Sequence, residues 1–216
     1  MENKLQKAIK IATKYHEWQI RKNNTPYISH PIAVMELLKN RNFPEDALIA
    51  AVLHDVCEDT KLNNINLNKL FWNRVWFIVN ALTKNKKPKN NKLLKEEYIK
   101  KQNFRKISNL ENHTNFDEYF DYRFHIYLNR LYTWIIAEPW IFFIKISDQI
   151  NNLWDMETFP YNKQKRKISE IENFFLPIYK KSKNIFNIDK KTINEYNLFI
   201  DLLTNTLNKA KNNLYK

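Results

Sequence analysis

The sequence predicts a single all-α domain. Apolar residues recur at helical spacing along almost all of the 216 residues, and no sustained alternation of β-branched and polar residues indicates a strand. A chain of this length with 44% hydrophobic residues can bury one core, so we expect one domain spanning 1–216. The chain has no glycine, and we expect Asn23-Asn24 and Asn90-Asn91 to serve in turns, because asparagine tolerates positive φ.

Three helix starts are predicted in the first part of the chain. The first helix is expected to end in the polar turn 21–25. The residues that share one face of this helix are Leu5, Ala8, Ile9, Ala12, Tyr15 and Gln19. A second helix is expected at Ser29-His30-Pro31, where serine can cap and proline suits the first turn. A third is expected after Pro44, where Glu45 and Asp46 favour the helix dipole.

The second part of the chain begins with a predicted loop. Residues 84–92 are almost only Lys, Asn and Pro, which is typical of an exposed segment. Helical patterns return at about residue 93, and Pro139, Pro160 and Pro177 are expected to mark helix boundaries or kinks. The segment 192–215 predicts one more amphipathic helix.

The net charge of +13 has two interpretations. It suits a polyanionic partner, either a nucleic acid or a nucleotide with several phosphates, and it also fits a solvated surface, because the lysines are scattered along the chain. The first residues lack the apolar run of a secretory signal, and no stretch reaches the ~20 apolar residues of a membrane span. With Cys57 as the single cysteine, a soluble cytoplasmic protein without disulfides is expected.

The segment around His54 carries the chemistry. On a continuous helix His54, Asp55, Glu58 and Asp59 cover an arc of about 140°, apart from the neighbouring apolar residues. Three acids beside an imidazole would repel one another if they were buried alone, so a cation is expected among them.

A metal site at this segment needs ligands from elsewhere in the chain. The sequence offers His30 at a helix start and Asp148 in an apolar segment. Imidazole and carboxylate without thiolate suit Mn²⁺, Fe²⁺ or Zn²⁺ better than Ca²⁺.

Several motifs in sequence order resemble a known family. They are Tyr15-His16-Glu17-Trp18-Gln19-Ile20-Arg21-Lys22, Pro26-Tyr27-Ile28-Ser29-His30-Pro31, Leu53-His54-Asp55-Val56-Cys57-Glu58-Asp59-Thr60, Leu82-Thr83-Lys84, and Ile144-Lys145-Ile146-Ser147-Asp148 with Asn151-Asn152. This order resembles the HD-type hydrolase domain of the Rel/SpoT stringent-response enzymes, and the free-standing small alarmone hydrolases most of all. The resemblance covers about residues 5–180 and implies an all-α HD-domain helical bundle.

The resemblance implies a role for each matching residue. One Mn²⁺ would be held by His30, His54, Asp55 and Asp148. Glu58 and Asp59 would orient and deprotonate the attacking water, in a reaction that removes pyrophosphate from the 3′ side of guanosine tetra- or pentaphosphate.

Three further residues are implied to bind the substrate. Arg21 and Lys22 would contact the guanine base and nearby phosphates, and Asn152 would lie near the ribose. His16 is expected to pack structurally rather than bind metal, and Cys57 to be inert in the core.

The chain also departs from the family pattern. Tryptophan stands at 18 and 72, where the family usually has glycine, and one hypothesis is that glycine codons of the source were read as tryptophan. Gln149 replaces the usual arginine, and Asn151 replaces a histidine. The segment between Lys84 and Asp148 is longer than usual, with an insertion at about 84–115.

Two other functions remain open from the sequence. HD-type chemistry accepts many phosphate esters, so a phosphatase acting on another nucleotide, such as a dinucleotide cofactor phosphate, is one alternative. A non-catalytic nucleotide or RNA binder that uses the basic surface is the other. The intact acids and histidines favour an enzyme with a small nucleotide substrate, so we do not expect a nucleic-acid partner.

Overall fold

The computed structural model describes residues 3–62, 64–84 and 122–215, and within them it confirms the all-α class. In chain order the helices are α1 (Lys4–Tyr15), α2 (Ser29–Lys39), α3 (Glu45–Leu53), α4 (Val56–Asp59), α5 (Asn64–Leu70), α6 (Asn73–Leu82), α7 (Tyr122–Ala137), α8 (Trp140–Trp154), α9 (Tyr161–Glu170), α10 (Leu176–Lys181) and α11 (Lys190–Leu214). A π-helical turn, Ile171–Phe175, joins α9 to α10, and 3₁₀ turns follow α8 and α10. No helix in the described ranges is long and apolar enough to cross a bilayer.

The predicted helix starts are found, with a different cap in one case. Helix α1 has a capping box, in which the Asn3 side chain accepts from the Gln6 amide and the Gln6 side chain accepts from the Asn3 amide. Helix α2 begins at Ser29 as predicted, but the serine does not cap it, because its hydroxyl donates to the Pro26 carbonyl at 2.8 Å. Helix α3 begins directly after Pro44, as predicted.

The later boundaries also follow the prolines. Pro139 and Pro160 are the N-cap residues of α8 and α9, and Pro177 lies in the first turn of α10. Helix α11 begins two residues earlier than predicted, because the Asp189 side chain caps it by accepting from the Thr192 amide. Most of the predicted loop 84–92 and of the insertion 84–115 lies outside the described residues.

The prediction of one helix through His54 and Asp59 is wrong. Helix α3 ends at Leu53, and α4 begins only at Val56. The His54 ring nitrogen Nδ1 lies 2.8 Å from the carbonyl oxygen of Ala51, which in a continuous helix would accept the amide of Asp55. The imidazole thus takes the acceptor that would continue the helix, and the chain turns at His54-Asp55.

Three described residues other than glycine have positive φ. Asn24 (63°) confirms part of the turn prediction, and Asn42 (56°) ends the turn after α2. The Asn90-Asn91 turn lies outside the described residues. Trp18 also has positive φ (71°), which the sequence did not predict. The predicted helix face extends too far, since α1 ends at Tyr15 and Gln19 lies beyond it.

Helix α8 forms the centre of the bundle. It contacts α2, α3, α6, α7 and α11, and every residue from 141 to 151 is buried. A helix that is covered all round is usually apolar, and this one is apolar on most faces. Its buried polar residues, which include Lys145, Asp148 and Asn151, therefore need partners inside the protein.

Candidate metal centre and adjoining pocket

Four side chains from three segments converge at one point. His30 comes from α2, His54 and Asp55 from the turn between α3 and α4, and Asp148 from α8. His30 Nε2 lies 3.1 Å from Asp148 Oδ1 and 3.6 Å from Asp55 Oδ2. His54 Nε2 lies 3.2 Å from Asp55 Oδ2 and 3.8 Å from Asp148 Oδ1. The structure thus brings together the four residues that the sequence proposed as ligands.

The two imidazoles are oriented by their other ring nitrogens. His30 Nδ1 lies 2.6 Å from the side-chain oxygen of Asn151, and His54 Nδ1 lies 2.8 Å from the Ala51 carbonyl oxygen. Since both neighbours are acceptors, each Nδ1 donates its proton to them, and each Nε2 is directed at the carboxylates. His54 Nε2 is buried without a hydrogen-bond partner among the described residues.

A divalent cation fits this donor set. One ligand atom from each of His30, His54 and Asp55 lies within 4.8 Å of the other two, and Asp148 adds a second carboxylate. Two imidazole nitrogens and two carboxylates are a ligand set typical of transition metals rather than of Ca²⁺. An ion would also satisfy the unpartnered nitrogen of His54.

The charges inside the cluster stabilise ionised carboxylates. Burial lowers the pKa of His54, but the charges of Asp55 and Asp148 outweigh it and raise that pKa to about 10. Burial raises the pKa of Asp148, yet the Lys145 ammonium and the two histidines hold it well below its usual value. The pKa of Asp55 is likewise lowered, chiefly by His54 against the effect of burial. Both carboxylates are therefore ionised and available to a cation.

Asp148 has two further partners that fix its carboxylate. Lys145 Nζ lies 2.6 Å from Oδ2, and Asn152 Nδ2 donates to Oδ1 at 2.5 Å. Lys145 and Asn152 lie three and four residues from Asp148, so both pairs form along one face of α8. The predicted contact of Asn152 with a ribose stays a prediction, although Asn152 also lines the adjoining cavity.

Glu58 and Asp59 follow one turn later and face the same cavity. Glu58 Oε2 accepts the backbone amide of Lys84 at 3.0 Å. Asp59 Oδ2 accepts the hydroxyl of Tyr27 at 2.8 Å, and the same hydroxyl lies 2.7 Å from Asp55 Oδ2. Tyr27 thus joins a candidate metal ligand to a candidate water-activating acid.

Sequence reasoning missed the role of Tyr27. Burial and the charges of Asp55 and Asp59 raise its pKa, so the hydroxyl keeps its proton and remains a donor. Its ring stacks on His16 at a centroid distance of 4.7 Å. The signal lay in the motif itself, because Tyr27 precedes His30 by three residues and lies one turn before it.

His16, whose ring stacks on Tyr27, is itself held by a hydrogen bond. His16 Nδ1 lies 2.7 Å from the Gln19 side-chain oxygen, and Gln19 Nε2 donates to the Asp59 carbonyl oxygen at 2.9 Å. His16 is buried and lies outside the trio of closest ligand atoms. The motif that contains His16 and Gln19 therefore supports the segment that carries Asp59 through hydrogen bonds.

A cavity of about 310 Å³ opens beside the centre. It is close to the lower limit of small-molecule pockets. Its walls contain six cationic side chains, which are Arg21, Lys22, Lys84, Lys145, Lys163 and Lys167. The sequence assigned a substrate role only to the first two. Lys84 and Lys145 lie in the quoted motifs without a role, and Lys163 and Lys167 were missed because scattered lysines look like a solvated surface until helices bring them together.

Arg21 is held at the cavity wall by an acid that was not predicted. Its guanidinium lies 2.8 Å from Asp155 Oδ2, and its side chain is only 8% exposed. Asp155 follows α8 directly, so the same helix positions the candidate metal ligand Asp148 and the ion-pair partner of Arg21. The predicted contacts of Arg21 and Lys22 with a guanine base stay predictions.

One position that departs from the family pattern, Gln149, is buried in the core. Gln149 accepts the hydroxyl of Tyr179 at 2.8 Å, and Tyr196 donates to the Tyr179 carbonyl at 2.8 Å. Burial raises the pKa of the Cys57 thiol to about 11, which keeps it protonated at neutral pH.

Comparisons with known proteins identify a family model and relatives that the sequence resembles. Residues 8–110 match the HD-domain family. The chain is 26% identical over 174 residues to a "Probable GTP pyrophosphokinase" of Mycobacterium leprae, which covers 81% of this chain and 18% of the relative. It is 35% identical over 104 residues to the "Bifunctional (p)ppGpp synthase/hydrolase SpoT" of Escherichia coli K12, which covers 48% of this chain and 14% of the relative. The chain thus spans less than a fifth of the length of these curated relatives.

A solved structure resembles nearly the whole chain. It is described as "A metazoan ortholog of SpoT hydrolyzes ppGpp and plays a role in starvation responses", and the match covers 94% of both chains with a TM-score of 0.56. The sequence identity is 20%, so this likeness shows a shared fold.

Proposed function

We propose that this chain, which carries an HD domain, is a metal-dependent phosphohydrolase that removes pyrophosphate from the 3′ side of guanosine tetra- or pentaphosphate. The observation that carries the proposal is the convergence of His30, His54, Asp55 and Asp148 at the wall of a cation-lined cavity. One of the relatives is a (p)ppGpp synthase/hydrolase, which supports the same substrate class.

The proposed metal is Mn²⁺, held by those four side chains. The mixed imidazole and carboxylate donors support a transition metal of this kind. When bound, it would favour deprotonation of a water molecule and offset negative charge on the phosphoryl oxygens. The protein's own side chains would transfer the protons and bind the substrate.

Glu58 and Asp59 are the proposed acid–base groups. A carboxylate accepts a proton from the attacking water, whose oxygen forms a bond to phosphorus as the bond from phosphorus to the 3′ oxygen breaks. The 3′ oxygen leaves with the electron pair and takes up the proton that the carboxylate accepted. The products are pyrophosphate and GDP or GTP. Hydrogen bonds from Tyr27 to Asp59 and from the Lys84 amide to Glu58 keep both acids in fixed orientations.

Arg21 and Lys22 are the proposed contacts for the guanine base and its nearby phosphates. The ion pair with Asp155 fixes the plane of the Arg21 guanidinium, which suits stacking on a purine ring. Lys22 lines the same cavity and supplies a point charge for phosphate. Asn152 is the proposed ribose contact, from the α8 side of the cavity.

The test compares hydrolysis of guanosine tetraphosphate with Mn²⁺ present and after addition of a chelator. We expect release of pyrophosphate and GDP by the wild type, loss of activity with the chelator, and at least ~100-fold loss in an Asp55→Asn variant. An Asp201→Asn variant is the matched control, because Asp201 is exposed on α11.

Three outcomes would contradict parts of the proposal. Hydrolysis that survives the chelator, or an Asp55→Asn variant as active as wild type, would overturn the metal centre. Hydrolysis of a dinucleotide cofactor phosphate but not of guanosine tetraphosphate would overturn the substrate. Binding without any hydrolysis, with an affinity that falls steeply with salt, would instead indicate a polyanion-binding protein.

A further inference from the structure

The segment 16–27 joins the two halves of the proposed active site. Arg21 and Lys22 lie on its cavity side, and the hydroxyl of Tyr27 donates towards Asp55 and Asp59. The two acids come from α4 and from the turn that precedes it. The placement of a nucleotide relative to the acids therefore depends on how this segment is attached to α4.

Gln19 connects this segment to α4. Its side-chain nitrogen donates to the backbone carbonyl oxygen of Asp59 at 2.9 Å. Its own carbonyl accepts the Tyr27 amide at 2.8 Å, and its amide donates to the His16 carbonyl at 3.0 Å. Gln19 thus links the end of α1, the tyrosine before α2 and the end of α4.

The orientation of the Gln19 amide group follows from its neighbours. A backbone carbonyl can only accept, so the NH₂ group faces Asp59, and the side-chain oxygen faces His16 Nδ1 at 2.7 Å. Burial lowers the pKa of His16, so its ring is neutral at neutral pH and Nδ1 carries the proton that it donates. The side chain of Gln19 is therefore held at both of its polar atoms.

The bond from Gln19 satisfies a carbonyl at the end of a helix. Helix α4 has only four residues and ends at Asp59. The last carbonyl groups of a helix have no partner within that helix, so a donor from another segment fixes its end. Tyr27 holds the Asp59 carboxylate at 2.8 Å, while Gln19 holds the Asp59 backbone. The same acid is thus fixed at its side chain and at its main chain.

We propose that Gln19 is a positioning residue, which sets the distance between the acid Asp59 and the nucleotide contacts Arg21 and Lys22. This inference rests on the proposed function, because Asp59 is one of the proposed acid–base groups. Gln19 is neither a candidate metal ligand nor a residue that lines the cavity. Its effect on the reaction is therefore expected to pass through Asp59.

The test compares a Gln19→Met variant with the wild type. Methionine has a similar length but can neither donate to Asp59 nor accept from His16. We expect kcat for guanosine tetraphosphate to fall about 10-fold, with KM changed less than about twofold, because only the acid is misplaced. Calorimetry of the metal-free protein should give a dissociation constant for Mn²⁺ within about twofold of the wild type, since the proposed ligands are kept.

The matched control is Gln164→Met. The Gln164 side chain also donates to a backbone carbonyl, that of Phe159 at 2.7 Å, so the same substitution removes the same kind of bond away from α4. This variant should keep the wild-type kcat. A loss of kcat in the control equal to that in Gln19→Met would overturn the inference.

A double variant tests whether Gln19 acts through Asp59. Tyr27→Phe removes the bond to the carboxylate of the same acid. If both substitutions misplace Asp59, their effects do not multiply, and kcat of the double variant should lie within about threefold of the less active single variant. Losses that multiply, an unchanged kcat in Gln19→Met, or a Mn²⁺ affinity that falls as much as kcat would each overturn the inference.

Hydrogen exchange of the backbone amides at the end of α4 gives a readout that needs no substrate. The amides of Glu58, Asp59 and Thr60 donate to carbonyls within this short helix and its N-cap. We expect them to exchange about 10-fold faster in Gln19→Met than in the wild type or in Gln164→Met. If this difference is found while the wild type fails to hydrolyse guanosine tetraphosphate, the positioning of Asp59 stands and the substrate proposal fails. Equal exchange in all three proteins would overturn the inference.

Discussion

The side-chain oxygen of Asn151 lies 2.6 Å from Nδ1 of His30. Both side chains are buried, and they come from helices α8 and α2, which pack together at the centre of the bundle. The amide oxygen accepts the Nδ1 proton and leaves Nε2 free to face Asp55 and Asp148. An asparagine, where the family resemblance expects a histidine, thus serves as an acceptor that fixes the imidazole.

Replacing this acceptor should weaken metal binding. We expect Asn151→Leu to lower the affinity for Mn²⁺ about 10- to 100-fold, because the His30 ring loses the group that sets its tautomer and rotation. Calorimetric titration of Mn²⁺ into the metal-free protein measures the change. Asn208→Leu is the control, since Asn208 is exposed on α11. An unchanged dissociation constant in Asn151→Leu would show that the fold orients His30 without this hydrogen bond.

Removal of one hydroxyl should separate catalysis from substrate binding. Tyr27→Phe leaves Asp55 and Asp59 without their shared donor, so both carboxylates lose the bond that fixes them. We expect kcat for guanosine tetraphosphate to fall about 10- to 100-fold with little change in KM, because the proposed base is misplaced. Steady-state kinetics measure both constants.

The control for Tyr27→Phe is Tyr15→Phe, because Tyr15 lies exposed at the end of α1. A far-ultraviolet circular dichroism spectrum like that of the wild type would show that the fold is kept. If Tyr27→Phe raised KM and left kcat unchanged, the tyrosine would act on the substrate rather than on the acids.

Much of the fold follows from local sequence signals. The starts of α2 and α3 were predicted because Pro31 and Pro44 favour the beginning of a helix whatever surrounds them. The break at His54 was not predicted, since it depends on a side-chain nitrogen that competes for the Ala51 carbonyl.

The four candidate ligands could be proposed from motif order, and the structure brings them together. The cation wall could not be proposed, because Lys163 and Lys167 are spaced like the solvated face of a helix. Only the packing of α9 turns this face towards the cavity.

The metal-free protein should lose stability as the pH rises. The pKa of His54 is about 10 in the folded state and 6.5 in the reference state, so protonated His54 favours folding. That contribution is complete below pH 6.5 and is lost as the pH rises through the folded value near 10. Between about pH 7.5 and 8.5 we expect the free energy of unfolding to fall by up to about 1 kcal/mol.

Denaturant unfolding of chelator-treated protein at the two pH values measures this slope. Saturating metal should abolish or reverse it, because a metal ion replaces the proton on His54 and binds more tightly at higher pH. A metal-free protein whose stability rises over this interval would contradict the assigned charge state of His54.

Replacing Trp18 with glycine should stabilise the protein. Trp18 is the third residue of a turn closed by the Gln19 amide and the His16 carbonyl at 3.0 Å, and its φ is 71°. A side chain with a β-carbon costs about 1–2 kcal/mol in this left-handed region, and the indole is 89% exposed, so little packing offsets the cost. After the larger entropy loss of glycine, we expect Trp18→Gly to raise the free energy of unfolding by about 0.5–1 kcal/mol.

The matched control is Trp18→Ala, which removes the indole but keeps the β-carbon and should bring no gain. Equal stability of the two variants would exclude backbone strain as the cause. Trp72 differs, since its φ of −68° suits any residue and its ring packs under Lys4 Nζ at 3.9 Å. The backbone conformation therefore supports a misread glycine codon at position 18 but not at position 72. If the hypothesis is correct, mass spectrometry of peptides from the natively made protein should find glycine at 18.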